Sequence, residues 1–146
     1  MVTTDEANKL AAQWGPAFTS YALGEKDGNW AAMFADGCVI VLPGEHQQAG
    51  LAGPKLKIHK ESGADIMPAT EDGYVSVTFE SMQEKMVKQL AAVDYVKTEA
   101  ASKGVQGDQF LLEYSRTNKM GEVYHVGYMV VTVNSDLLMT NIVTFS

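Results

Sequence analysis

The sequence is poor in cysteine and in positive charge, and both shortages exclude classes of protein. Cys38 is the only cysteine among 146 residues, so no internal disulfide can form. It lies in the apolar run CVIVL (38–42), where a free thiol is typical of a small core residue. Eleven Lys and Arg against eighteen Asp and Glu leave a net charge of −7. Nucleic-acid binding requires clustered basic residues, so we expect no nucleic-acid partner.

Long apolar runs, targeting signals and cofactor motifs are also missing. No run approaches the roughly 18 apolar residues that a membrane span needs, and the opening MVTTDEANK lacks the layout of a signal peptide. The chain contains no P-loop, no dinucleotide glycine motif and no Gly-x-Ser-x-Gly motif. Its three histidines lack the close spacing of zinc ligands. We therefore expect a cytoplasmic protein without a membrane partner, a metal or another cofactor.

What is present is the composition of an ordinary globular domain. Apolar residues make up 46% of the chain and charged residues 20%. A chain of this length buries about 70% of its unfolded surface on folding, which is enough for a stable core without disulfide bonds or a structural metal ion. We therefore interpret residues 1–146 as one domain.

Apolar spacing predicts two helices in the first quarter of the chain. Thr3 and Thr4 precede Asp5 and Glu6, so an N-cap hydroxyl can start a helix there. Apolar residues then recur every three or four positions from Ala7 to Tyr21. Gly15-Pro16 interrupts this pattern, so we expect a kink or two abutting helices. Asp27 can cap a second, short helix that ends at Asp36-Gly37.

The rest of the chain reads mainly as strands. Residues 38–42 form a predicted buried strand, whereas 44–73 have little periodicity and contain either a short helix opened by Gly53-Pro54 or a long loop. The basic residues between Lys55 and Lys60 read as a solvated face. The remaining predicted elements are a strand at 74–79, a helix at 81–90 and strands at 93–100, 109–117, 123–133 and 137–145.

This order predicts an α+β architecture that closes with a four-stranded meander. The last two strands, VGYMVVTV and LLMTNIVTF, are apolar on both parities, so both faces of the sheet should be buried there. Helices can cover one face. Nothing else in the chain is available for the other, so we expect a homodimer through that face.

Residues 24–44, GEKDGNWAAMFADGCVIVLPG, resemble the pattern of SnoaL-like and other nuclear transport factor 2-like proteins. Those chains typically have an acidic turn with glycine, an aromatic residue or Leu, Met/Leu-Phe-Ala-Asp, a small residue and a Val-rich strand. The preceding helix and the closing meander fit the same layout, so the resemblance covers nearly the whole chain. It departs where relatives often pass from the first strand almost directly to a Gly-led helix. Residues 44–73 are therefore interpreted as a variable insertion near the pocket mouth.

The resemblance implies a cone in which a curved, mostly antiparallel sheet wraps around N-terminal helices and encloses an apolar pocket. The superfamily includes isomerases, dehydratases, polyketide cyclases, epoxide hydrolases and plain binding or assembly modules. Because one fold hosts so many activities, the function must be argued from residues within the pocket.

Three residues are candidates for acid/base chemistry in such a pocket. Strand parity places Asp94 inward, as a general base or as a satisfied carboxylate that caps the helix–strand junction. His125 is the only histidine in a predicted core strand, and it is either a proton shuttle or part of the dimer interface. Tyr21 could donate a hydrogen bond to a developing oxyanion or simply fill space.

Aromatic and polar side chains form the predicted substrate-binding set. Tyr114 and Tyr128 could also donate to an oxyanion, and Asn141 would bind a ligand oxygen if inward or pair across a dimer if outward. The aromatic residues at helical spacing are more typical of a core than of a ligand cage. The full set is Trp14, Phe18, Trp30, Met33, Phe34, Tyr114, Tyr128 and Asn141.

The sequence therefore predicts an enzyme that acts on a small, largely apolar molecule by acid/base proton transfer, of the isomerase, cyclase or dehydratase type. Asp94 or His125 would be the base and a tyrosine the oxyanion donor. The alternative is a non-catalytic homodimer of the same fold that binds a small ligand or assembles with a partner. Whether Asp94 and His125 share one pocket separates the two hypotheses.

Overall fold

Two helices and seven strands make up the part of the chain that the computed structural model describes, residues 1–42, 55–60 and 73–145. The helices are α1 (Thr4–Ala22) and α2 (Phe79–Ala91), and a 3₁₀ turn spans Ala31–Met33. The strands are β1 (Phe34–Val41), β2 (Lys55–His59), β3 (Tyr74–Thr78), β4 (Tyr95–Gln106), β5 (Gln109–Asn118), β6 (Val123–Val133) and β7 (Met139–Phe145). Neither described helix is long and apolar enough to cross a membrane.

Helix α1 is one undivided element, so of the two predicted alternatives, a kink or two abutting helices, the second is wrong. A reciprocal capping box starts it: the Thr3 side chain accepts from the Glu6 N–H at 3.1 Å, and the Glu6 carboxylate accepts from the Thr3 N–H at 2.9 Å. Pro16 lies inside the helix. Its missing N–H leaves the Ala12 carbonyl without a helical partner, but both residues are exposed and water can hydrate that carbonyl.

The prediction of a second helix between Asp27 and Gly37 is also wrong, because only the short 3₁₀ turn at Ala31–Met33 forms in that segment. The Asp27 carboxylate accepts from the Asn29 N–H at 3.0 Å, which closes a local turn instead of starting a helix. Strand β1 begins at Phe34 and contains Asp36 and Gly37. Gly37 has φ +75°, and the pairing of β1 with β7 shifts register between Phe34 and Val39. The left-handed glycine therefore marks a β-bulge and not a helix end.

Strand β2 corrects the prediction for part of 44–73, which was a short helix or a loop. Ile58 of β2 is fully buried. The ammonium groups of Lys55 and Lys57 lie 5.5 and 5.3 Å from the centre of the Tyr74 ring on the neighbouring strand β3. Most other residues of that segment, including Gly53-Pro54, lie outside the described residues.

The strands form one curved, unclosed sheet in the order β3-β2-β1-β7-β6-β5-β4. β1 pairs with β7 in parallel, as does β2 with β3, and the other four pairs are antiparallel. The predicted helix at 81–90 and the predicted strands at 74–79, 109–117, 123–133 and 137–145 are confirmed with ends shifted by at most two residues. The predicted strand at 38–42 is confirmed as well, but it begins four residues earlier, at Phe34. β4 runs six residues beyond the predicted end at 100, because the turn to β5 uses only Gly107 and Asp108.

Helix α1 packs on one side of the sheet, which we call the concave face; the opposite side is the convex face. A Cβ atom on Gly15 would lie 3.0 Å from the Thr98 carbonyl oxygen and 3.3 Å from the Ala100 nitrogen, so α1 touches the β4 backbone directly. Phe110, Leu112 and Tyr114 of β5 point to this face and are buried, which confirms the predicted parity of that strand.

Helix α2 is tied to the end of α1 by a buried glutamine. The Gln83 amide donates to the carbonyl oxygens of Tyr21 and Glu25, at 3.0 and 2.9 Å, and accepts from the Lys26 ammonium. Because buried polar groups are costly unless paired, these bonds fix where α2 begins relative to the end of α1.

The convex face of β6 is apolar and uncovered by the described residues. Val123, Val126 and Tyr128 are 58, 49 and 40% exposed, and Phe145 on β7 is 42% exposed. The expectation that helices bury only one face of these strands therefore holds for the described chain.

The contact of α1 with β4 is testable by Gly15→Ala. Alanine normally favours a helix over glycine by about 1 kcal/mol, but a methyl group 3.0 Å from a backbone oxygen must push the elements apart, and overpacking of this kind typically costs about 1–3 kcal/mol. We expect a net loss in the free energy of unfolding, measured by urea denaturation. Asn8→Ala, at an exposed position of α1, should leave stability equal or raised. A Gly15→Ala variant as stable as wild type contradicts the close packing.

Candidate functional site

A tyrosine and a histidine meet on the concave face. The Tyr114 hydroxyl lies 3.2 Å from Nε2 of His125, which is half-buried on β6. In the sheet register Arg116 pairs with His125 and Tyr114 pairs with Gly127. A Cβ atom on Gly127 would clash with the Tyr114 hydroxyl, so the absent side chain allows the tyrosine ring to lie across β6 and reach the imidazole.

The surroundings hold both groups in their neutral forms at neutral pH. Burial lowers the pKa of His125 below its usual 6.5, and the nearby Arg116 charge lowers that pKa further. Burial raises the pKa of Tyr114, an effect that Arg116 partly opposes. An uncharged imidazole beside an uncharged phenol can accept a proton at one nitrogen and keep a hydrogen bond at the other.

Aromatic side chains fill the space between α1 and the concave face. The Trp14 and Phe18 rings are stacked 4.9 Å apart, Trp30 lies edge-on to Phe18 at 5.3 Å, and Trp14 lies 6.1 Å from Tyr114. Trp30 also contacts Phe34, which is fully buried. These predicted substrate-binding residues thus form the core that the sequence favoured, and it borders the Tyr114–His125 pair.

Three buried donors in this region have no hydrogen-bond partner among the described residues: Nε1 of Trp14, Nε1 of Trp30 and Nε of Arg116. A buried donor left without an acceptor costs on the order of 1–3 kcal/mol. Such donors in a folded protein usually bind water, an ion or a ligand.

Asp94 does not share this face, and the prediction of an inward carboxylate is wrong. Its side chain is 68% exposed and lies 3.9 Å from the Lys119 ammonium. The backbone of Asp94 has φ 56°, a turn conformation that Asp tolerates better than most residues. The pairing of β4 with β5 then shifts register between Tyr95 and Lys97, so Tyr95 and Thr98 are the buried residues at this end of β4.

The Tyr21 hydroxyl is already engaged in the fold. It donates to the Phe79 carbonyl oxygen at the first residue of α2, and burial raises the pKa of Tyr21 far above its usual range. A hydroxyl bonded in this way joins α1 to α2 and is not free to stabilise an oxyanion.

Tyr128 and Asn141 point to the convex face, away from Tyr114 and His125. Tyr128 shares that face with Glu113. The Glu113 carboxylate accepts a hydrogen bond from the Tyr128 hydroxyl and raises the pKa of Tyr128. Asn141 pairs with Val39 and Thr132 in the register, and its Oδ1 atom is buried without a partner. The inward role considered for Asn141 is therefore wrong: the side chain points outward, and its pairing across a dimer stays a prediction.

Two cavities lie beside the core. A cleft of about 370 Å³ is bordered by Tyr21, Trp30, Lys60 and the first turn of α2. A groove of about 790 Å³ runs along α1 beside Met33 and the β6–β7 turn. Cys38 lies in the core, where burial raises its pKa to about 12, as expected for an unreactive thiol.

The described residues contain no group of three His, Cys, Asp or Glu side chains arranged to hold a metal. His59 lies on β2, 3.9 Å from the Asp36 carboxylate. His46 is outside the described residues.

Arg116 was missed by the sequence analysis, although a signal was available. It follows Tyr114 by two residues on β5, so strict alternation predicts it on the same face. A hydroxyl network was missed as well: the Thr19 hydroxyl accepts from the Thr98 N–H at 2.9 Å, and the Thr98 and Tyr95 hydroxyls are 2.6 Å apart. No spacing rule joins Thr19 to β4, because that contact depends on how close α1 approaches the sheet.

No protein-family model matches the sequence, and no curated protein matches it. Solved structures with the same fold include a SnoaL-like protein of unknown function from Burkholderia thailandensis, with 14% identity, a TM-score of 0.57 and coverage of 100% of this chain and 99% of that one. A candidate isomerase of the SnoaL-like family from Agrobacterium tumefaciens has 12% identity, a TM-score of 0.51 and coverage of 95 and 96%.

A protein of unknown function with a cystatin-like fold from Methylobium petroleophilum has 11% identity and a TM-score of 0.52, covering 99% of this chain and 77% of that one. Identities this low concern the fold and not the activity. The chain therefore has the α+β fold of the SnoaL-like and nuclear transport factor 2-like proteins, as the resemblance of residues 24–44 implied.

Proposed function

We propose that this protein is an enzyme that moves a proton within a small, apolar carbonyl compound, with His125 as the base and Tyr114 as the oxyanion donor. The observation that carries the proposal is the 3.2 Å contact between the Tyr114 hydroxyl and His125 Nε2 on the concave face. The candidate isomerase from Agrobacterium tumefaciens, which has the same fold, supports the same class of reaction.

The proposed step uses the tautomer in which His125 carries its proton on Nε2. The Nε2–H group donates a hydrogen bond to the Tyr114 oxygen and keeps its proton throughout. Nδ1 then takes a proton from the carbon next to the substrate carbonyl. The Tyr114 hydroxyl donates to the oxygen on which negative charge develops, and the Arg116 charge attracts that negative charge. Protonated Nδ1 returns the proton to a different carbon of the substrate, which balances the isomerisation.

The pH dependence tests the electrostatics of this pair. Because burial and Arg116 lower the pKa of His125, the neutral, basic imidazole should persist below pH 6.5, and it is lost as the pH falls through the lowered pKa. Arg116→Gln should raise the His125 pKa towards 6.5, as measured by NMR titration of its ring. Lys88→Gln, on α2, is the control and should not move it. A His125 pKa at or above 6.5 in the wild type, or one that ignores Arg116→Gln, contradicts the proposal.

Proton transfer itself is testable with 2-tetralone, an apolar ketone whose α-protons exchange with D₂O. We expect the protein to accelerate this exchange, followed by NMR, and His125→Gln to lower kcat/KM for exchange by at least about 100-fold, the lower end of the usual contribution of a general base. His59→Gln is the matched control and should exchange like the wild type. A wild type without acceleration, or a His125→Gln variant as fast as wild type, overturns the enzymatic proposal in favour of the binding module.

The second candidate, a homodimeric binding or assembly module, is favoured by the convex face. Its exposed Val126, Tyr128 and Phe145 share that face with Asn141. The Oδ1 atom of Asn141 is buried without a partner among the described residues, and an opposing donor could satisfy it. We propose that two copies pair through this face, an arrangement compatible with either function.

Pairing through the convex face predicts that Val126→Glu converts a dimer into a monomer in sedimentation velocity, because an unpaired charge would be buried in the interface. Met120→Glu introduces the same charge in the β5–β6 turn, where the side chain is 82% exposed, and should leave the dimer intact. A monomeric wild type, or a Val126→Glu variant that remains dimeric, contradicts this proposal.

A further inference from the structure

We infer that the ligand of the concave face is an organic acid, whose carboxylate binds Arg116 and whose other oxygen atoms accept from Trp14 and Trp30. This inference rests on the proposed function and adds the chemical class of the substrate. It starts from the three buried donors, which the Tyr114–His125 chemistry alone does not require.

The three side chains that carry these donors all lie against the Phe18 ring, which is the basis for treating them as one site. Its centre is 4.9 Å from that of Trp14 and 5.3 Å from that of Trp30, and the Arg116 guanidinium carbon is 5.7 Å from it. Trp14 and Trp30 are each only 4% exposed, so bulk solvent does not satisfy their N–H groups. Trp30 also borders the cleft of about 370 Å³.

Arg116 is a cation with no counter-ion among the residues that the structure describes. None of the ion pairs of the described residues includes it, and its neighbours are the faces of Phe18 and Tyr114, the latter 5.5 Å away. The same charge lowers the pKa of His125, in addition to the larger effect of burial. A guanidinium presents parallel N–H groups that match the two oxygens of a carboxylate.

The Trp14, Trp30 and Arg116 N–H groups all lack hydrogen-bond acceptors, and this favours ligands that supply acceptor atoms. Indole N–H and guanidinium groups can only donate, so a ligand rich in oxygen atoms satisfies them and an amine does not. The chain as a whole carries a net charge of −7 and repels anions at long range. Preference for an acid must therefore come from Arg116 locally. Bound water could also satisfy these donors, but water would create no preference for a negative ligand.

The test compares 2-naphthoate with 2-naphthamide, which differ in charge and have nearly the same shape, by isothermal titration calorimetry. We expect wild type to bind the acid at least about tenfold more tightly than the amide, an increment typical of a charge-assisted pair. Arg116→Gln should remove that preference and change amide affinity less than about twofold. Binding of the acid should also raise the His125 pKa in the NMR titration, because an anion favours the imidazolium, whereas the amide should not.

Lys103→Gln removes the same charge from an exposed position of β4 and should keep the preference. Arg116→Lys, which keeps the charge, covers the case in which Arg116→Gln fails to fold, and it should retain part of the preference. The inference is overturned if acid and amide bind equally or if 2-naphthoate does not bind. It is also overturned if Lys103→Gln loses as much of the preference for the acid as Arg116→Gln does.

Failure of this inference and failure of the proposed function give different results. His125→Gln should keep the preference for the acid, because it leaves Arg116 and both indoles in place. A protein that exchanges 2-tetralone but shows no preference for the acid is a proton-transfer enzyme for neutral compounds. One that prefers the acid but exchanges nothing is an acid-binding module.

Discussion

The architecture depends on the contact between α1 and β4, where no side chain separates the helix from the strand. Gly15 provides the space, and the Thr19 hydroxyl completes the contact by accepting from the Thr98 N–H at 2.9 Å while donating to the Gly15 carbonyl at 2.8 Å. One turn of helix is thereby locked to the strand. Trp14 precedes that turn and Phe18 lies within it, so both rings are held over the concave face, where Trp14 contacts Tyr114 of β5 and Phe18 contacts Tyr95 of β4. A bulkier residue at position 15 would move this aromatic surface away from the sheet.

The position of α1 sets the electrostatics of the candidate site. Trp14 and Phe18 exclude water from one side of Tyr114 and Arg116, and the tyrosine hydroxyl in turn meets His125. In such surroundings a charge acts over a longer effective range than in water, so Arg116 perturbs the titration of both His125 and Tyr114. Mutations in α1 that leave the strand residues unchanged should therefore still alter the chemistry of the imidazole.

The element order and most strand faces could be predicted from the sequence, because apolar periodicity follows directly from burial. The parity of 109–117 correctly placed Tyr114 on the concave face. The same reasoning failed for Asp94, since the register shift after Tyr95 changes which residues of β4 point inward, and a bulge leaves little trace in an alternating pattern. Gly37 was misread for a related reason: a left-handed glycine ends helices and forms bulges alike. Neither the Gly15 contact nor the lack of a counter-ion for Arg116 among the described residues could be predicted, because both depend on distances between elements remote in sequence.

The antiparallel pair of β5 and β6 assigns residues to two different surfaces. Along β6, His125 and Gly127 point to the concave face, whereas Val126 and Tyr128 point to the convex face. Because the side-chain period of a strand is two, a register slip of one residue would bury Tyr128 against α1 and expose the imidazole. Gly127 opposes such a slip, since only a residue without a side chain fits beneath the Tyr114 ring. The residue that lets Tyr114 reach His125 therefore also keeps the apolar row of β6 facing outward, so one constraint determines both the candidate site and the surface available to a partner.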